Sequence, residues 1–135
     1  MALQLSTSVR NARLDAIETV IGASAVLKIR TGAAPANCGA ADTGSVLATL
    51  NLPSDYMAAA ASGSKAKSGT WEDTSADGTG TAGHFRLYAS DGTTCHMQGT
   101  VTATGGGGDL TVDNTSFSTG QSFTVTGWTL TDGNG

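Results

Sequence analysis

The sequence predicts a mainly β protein: a compact antiparallel β-sandwich or jelly-roll-like domain preceded by one N-terminal α-helix. After Gly22 the spacing of apolar residues changes from about 3.6 to about 2, and Thr, Val and Gly become frequent. The 135 residues are 39% apolar and only 13% charged, with two prolines. Disordered chains show the reverse balance, so this chain is expected to fold around one core. The expected organisation is a single domain over 1–135, with a helical segment at 1–22 and the β-sandwich at 23–135.

The helix comes from "STSVRNARLDAIETVIG". Val9, Leu14, Ile17, Val20 and Ile21 fall at helical spacing, Ser6 or Ser8 is placed to cap the start, and Gly22 to end it. Arg10, Arg13 and Glu18 mark the other face. "AVLKIRTG" then reads as a strand with Leu27 and Ile29 on one side and Lys28 and Arg30 on the other. "SVLATLNLP" alternates Val46, Ala48, Leu50 and Leu52 before Pro53 ends it. The small-residue segment "AAPANCGAADTG" between them is expected to cross from one sheet position to another. "SDYMAAAASGSKAKSG" is ambiguous: its alanines suit a short helix, but the run is brief and Ser-Gly follows.

Trp71 begins a short strand that leads into a polar, Gly-rich loop. "HFRLYAS" and "TCHMQGTVTA" form a hairpin, and "DLTVD" and "QSFTVTGWTLT" supply further strands. In the last of these Phe123 and Val125 alternate at odd positions, Trp128 and Leu130 at even ones. The phase change at Gly127 predicts a β-bulge or a sharp bend. The glycine run of "TATGGGGDLT" is expected to form a mobile loop tip.

The chemistry concentrates in "GHFRLYASDGTTCHMQG", which holds both histidines and one of the two cysteines. Its "SDG" suits a three-residue turn with a G1 bulge. That register pairs Leu87 with Cys95, Arg86 with His96, Phe85 with Met97 and His84 with Gln98. Cys95, Phe85, Leu87 and Met97 then face the core, and His84, Arg86, Tyr88, His96 and Gln98 form an exposed polar face. Cys95 and His96 cannot share a metal in this arrangement, and two histidines fall short of the three protein ligands of an open zinc site. No metal, cofactor or catalytic residue is expected.

Other motifs fail on their chemistry. A hydrolytic triad needs a base oriented by a third group; neither "GHF" nor "CHM" places an Asp or Glu beside its histidine, and G-x-S-x-G is absent. "TGGGGD" lacks the Lys-Ser/Thr of a phosphate loop, and Asp109, Asp113 and Asn114 lack EF-hand spacing. Trp71, Trp128, Tyr56 and Tyr88 would form a glycan platform if gathered on one face; the favoured reading places both tryptophans in the core.

The net charge of −4 is uneven. Residues 1–30 carry Arg10, Arg13, Lys28 and Arg30 against Asp15 and Glu18, whereas beyond residue 70 Arg86 stands against seven carboxylates. Such a surface repels phosphate backbones, which argues against nucleic-acid binding. No stretch approaches a membrane span, and the start has no apolar core of signal-peptide length. A soluble cytoplasmic product is expected, in which Cys38 and Cys95 are free thiols or join in one disulfide.

Three stretches, "VRNARLDAIETVIGASAVLKIRTGAAPANC", "HFRLYASDGTTCHMQGTV" and "DLTVDNTSFSTGQSFTVTGWTLTDGN", together resemble small structural proteins of tailed bacteriophages and prophages, and the likeness spans most of the chain. It implies a non-enzymatic virion component assembled in the bacterial host cytoplasm, most like a capsid decoration or cement protein. The implied partners are the major capsid protein or other virion proteins, with homo-oligomers, a trimer by analogy. A tail or fibre adaptor, or a glycan-reading receptor module, is the alternative. Candidate partner-binding residues are Arg10 and Arg13 on the helix and His84, Arg86, Tyr88 and His96 on the hairpin.

Overall fold

The computed structural model describes residues 3–133. Helix α1 (Thr7–Ile21) starts where Ser6 Oγ accepts the Val9 N–H at 3.3 Å and stops at Gly22, whose φ of +84° suits glycine. Nine strands follow: β1 (Val26–Thr31), β2 (Val46–Asn51), β3 (Ser64–Ala66), β4 (Glu72–Asp73), β5 (Gly80–Tyr88), β6 (Cys95–Ala103), β7 (Leu110–Val112), β8 (Ser116–Phe117) and β9 (Phe123–Thr131).

Seven strands form one sheet in the order β2-β1-β5-β6-β7-β9-β3, with β4 on β9 and β8 on β5. All the pairings are antiparallel except β6 with β7. The sheet curls strongly into a half-barrel, which corrects the expectation of a sandwich. Bulges account for much of the curl. Leu47, Gly83, His96 and Thr126 each stand as an extra residue against the neighbouring strand, and each adds local twist and bend. The bulge expected near Gly127 is therefore present, and it turns both Val125 and Trp128 into the core. The two ends of the sheet approach through the β4 loop: the Thr49 N–H donates to Asp73 Oδ2 at 3.1 Å and the Asp77 N–H to the Leu47 carbonyl at 2.8 Å.

The core lies inside the curl. Leu27, Ile29, Leu50, Phe85, Leu87, Phe117 and Phe123 line it, and Trp71 and Trp128 meet with ring centroids 5.5 Å apart. The Trp71 indole N–H donates to the Tyr56 carbonyl at 3.1 Å, and Tyr56 Oη donates to the Gly22 carbonyl at 2.9 Å. Both aromatics thus keep their polar ends satisfied at full burial. The ambiguous alanine segment is a hairpin rather than a helix. Ala61 and Ser64 exchange backbone hydrogen bonds around Ser62 (φ +52°) and Gly63 (φ +73°), a two-residue turn of the kind a Ser-Gly pair favours.

The glycine run has a specific task. Parallel neighbours ordinarily need a connection of about a dozen residues, yet β6 returns to β7 through residues 104–109 alone. The reversal brings the chain so close to Thr102 that a Cβ on Gly106 or Gly108 would lie 2.8 Å from its side chain. "GGGG" thus forms an exposed loop tip, as expected, and also permits a tight parallel reversal.

Candidate functional site

The hairpin β5–β6 departs from the expected register in two places. Ala89 and Thr94 close the turn, and the Asp91 carboxylate accepts the Thr93 and Thr94 N–H groups at 2.9 Å, so the loop is one residue longer. His96 then bulges. Leu87 faces Met97, Arg86 faces Gln98 and Tyr88 faces Cys95. The alternation of β5 is as expected, with Phe85 and Leu87 toward the core and His84, Arg86 and Tyr88 on the opposite side. Cys95 does not join the core: it lies half-buried on the side of Tyr88.

Most of that opposite side is covered, which corrects the second expectation; His96 is exposed as expected and Gln98 is half-buried. His84, Arg86 and Tyr88 are buried at 1%, 2% and 0% exposure, because residues 32–45 fold back over β1, β5 and β6 on the way to the neighbouring strand β2. Asp42 holds this loop down. Its carboxylate accepts from Tyr88 Oη at 2.7 Å, from Arg30 Nη2 at 2.9 Å and from Arg86 Nη1. Arg86 Nη2 also donates to the carbonyls of Cys38 at 2.9 Å and Ala40 at 3.2 Å. His84 Nδ1 is 2.9 Å from the Gly32 carbonyl, and Gln98 Nε2 donates to that of Pro35 at 2.7 Å.

One carboxylate thus serves two buried guanidinium groups, and loop carbonyls accept from further Nη atoms of both, whereas the Nε of each is buried without a partner among the described residues. An unpaired buried charge costs several kcal/mol, so this loop and these strands form as a unit. Burial works against ionised Asp42, but hydrogen bonds from Tyr88 and Arg86 and the charges of Arg30 and Arg86 outweigh it and hold its pKa below the usual carboxylate value. Burial, with Asp42 as hydrogen-bond acceptor, pushes the Tyr88 phenol up.

Helix α1 is docked largely through polar groups. The buried Lys65 ammonium reaches Asp15 Oδ1 at 2.7 Å and Glu18 Oε2 at 3.0 Å. Asn11 Oδ1 accepts the Gly63 N–H at 2.9 Å. Arg10 Nη1 donates to the Asp132 carbonyl at 3.3 Å, and Arg13 Nε lies 3.2 Å from Asp132 Oδ2. Leu14 and Ile21 are buried beside these contacts, whereas Val9 and Val20, expected on the apolar face, are 46% and 69% exposed.

The outer side of the helix therefore presents Val9, Ala12, Arg13, Ala16 and Val20, and the Asp15 carboxylate at its flank is also half-exposed. Arg13, Ala16, Ile17, Val20 and Ile21 line a hollow of about 280 Å³ whose far wall is His96. Of the residues expected to meet a partner, the fold gathers Arg13 and His96 here. It leaves Arg10 tied to Asp132 and buries His84, Arg86 and Tyr88 beneath the loop.

The aromatic residues weighed for sugar stacking are all inside: Tyr56, Trp71, Tyr88 and Trp128 are each at most 4% exposed. Among the described residues, no three His, Cys, Asp or Glu side chains are gathered as a metal site, and no helix is long and apolar enough to cross a membrane. The residues that sequence reasoning missed are Asp42 and Lys65. Their signal was indirect: two strands carrying Arg30 and Arg86 on the same side call for a counter-charge, and "AADTG" is the nearby segment that holds one. Comparison with family models, curated proteins and solved structures finds no match.

Proposed function

We propose that the protein is a non-enzymatic virion structural protein, a head decoration or cement protein that binds the capsid surface through the outer side of helix α1. The observation that carries this reading is the helix itself. Arg10, Asn11, Asp15 and Glu18 are turned to the domain, while Ala16 and Val20 face outward beside Arg13 and His96, and Val9 is exposed one turn earlier. A body stiffened by the Asp42 clasp presents this surface as a fixed shape. Burying it against capsid subunits adds apolar contact at each copy, and repetition over a shell multiplies a weak contact. The partners are the major capsid protein or neighbouring virion proteins, and self-association as a trimer fits a position at a capsid symmetry axis.

Co-sedimentation of the purified protein with expanded capsids tests this. Binding is expected, and Val20→Asp should weaken it roughly 30-fold or more, the equivalent of about 2 kcal/mol for a valine denied burial. Its melting temperature should be unchanged, because Val20 is exposed in the free protein. Failure to sediment with capsids, or binding to tail structures instead, overturns the head assignment.

A further inference from the structure

We propose that Cys38 and Cys95 form a redox-operated clasp that covalently fastens the 32–45 loop to the start of β6. Cys38 lies in the segment whose carbonyls are held by Arg86, its own at 2.9 Å. Cys95 stands opposite Tyr88, whose hydroxyl is bonded to Asp42 of the same loop. Pro35, three residues before Cys38, is tied to Gln98, three residues after Cys95. The loop thus runs along this edge of the hairpin and is pinned on both sides of the two cysteines. Both thiols are half-buried and free, and the Cys95 thiol donates to the Met97 carbonyl at 3.4 Å.

The reaction is an exchange with a small disulfide such as oxidised glutathione. One cysteine thiolate attacks a sulfur of the oxidant and expels one glutathione thiolate, leaving a mixed disulfide. The other cysteine, on losing its proton, attacks the protein sulfur of that bond, forms Sγ–Sγ and expels the second glutathione. The chain loses two electrons and two protons, and the oxidant becomes two reduced thiols. Burial, aided by the Cys38 thiol, pushes Cys95 up to about 11, so closure should quicken as the pH is raised above neutral. The bond would close a loop of roughly 60 residues, long enough to restrict the unfolded chain substantially. This is a property of the isolated chain and holds whatever surface the protein docks on.

The test is to equilibrate the full-length protein with graded ratios of reduced and oxidised glutathione, quench by alkylation and record intact mass, peptide map and thermal melting. The expected result is loss of two hydrogens, a linked Cys38–Cys95 peptide in monomeric protein and a melting temperature raised by several degrees, reversed by reductant. Cys38→Ser and Cys95→Ser should melt like the reduced parent and show no rise. Two alkylatable thiols after full oxidation, glutathione retained on both cysteines, or an intramolecular bond that lowers the melting temperature would overturn the clasp. Wild-type reversal by reductant keeps the test valid even if a variant folds poorly.

Discussion

Asp42 shows how one surface side chain comes to decide the fate of two buried ones. It is partly exposed itself, yet Arg30 and Arg86 depend on it for their only carboxylate among the described residues. Asp42→Asn keeps the shape and removes the charge, leaving two buried cations served by neutral acceptors. A loss of about 3 kcal/mol in denaturant unfolding is expected, together with faster protease cleavage within residues 33–45. The sequence showed Arg86, Tyr88 and His84 on one side of a strand, and this was right. It did not show the lid, because alternation reports direction and not what covers a face.

At the scale of elements, helix α1 and the β6–β7 reversal teach opposite lessons. The helix was legible in its caps and spacing, but which side docks was not. Asp15, Asn11 and Glu18 are drawn inward by Lys65 and the 61–64 turn, and no periodicity announces a buried ammonium from another strand. In the reversal, the glycines read as slack, whereas two of them are compelled by contact with Thr102. Gly106→Ala should cost about 2 kcal/mol in chemical denaturation. Gly133→Ala, which meets nothing within 4 Å, should leave stability within about 0.5 kcal/mol of the parent.

The whole molecule should be most stable over a broad neutral plateau. Asp15 and Asp42 have lowered carboxyl pKa values in the folded protein: hydrogen bonding from Lys65 leads for Asp15, and for Asp42 the bonds from Tyr88 and Arg86 outweigh burial. Their contribution is full above the ordinary carboxylate value of about 3.9 and is lost as pH falls through the folded values. Burial, then the charge of Glu18, raises Tyr56 to about 12. The unfolded phenol ionises first, so that contribution is full below about pH 10 and is lost as pH rises from there toward 12. Melting temperature measured from pH 2 to 12 should fall at both ends; Asp42→Asn should flatten the acid limb and Tyr56→Phe the alkaline one. A parent whose acid limb is identical to that of Asp42→Asn would show that the carboxylate is not held by the two arginines.

By itself the sequence determined the class of the molecule: one capped helix, then β strands whose alternation marks Leu27, Ile29, Phe85 and Leu87 as core and whose phase slip at Gly127 marks a bulge. These are local properties, set by the geometry of a few consecutive residues. Only the tertiary structure decided that the strands form one curled sheet, that the loop carrying Asp42 and Cys38 folds back over Arg86, and that Val20 faces out while Lys65 faces in. Each of these depends on which distant segment arrives as neighbour. Bulges at Leu47, Gly83 and His96 set the curl, and buried charge set the contacts, through pairings between residues far apart in the chain that no local period encodes.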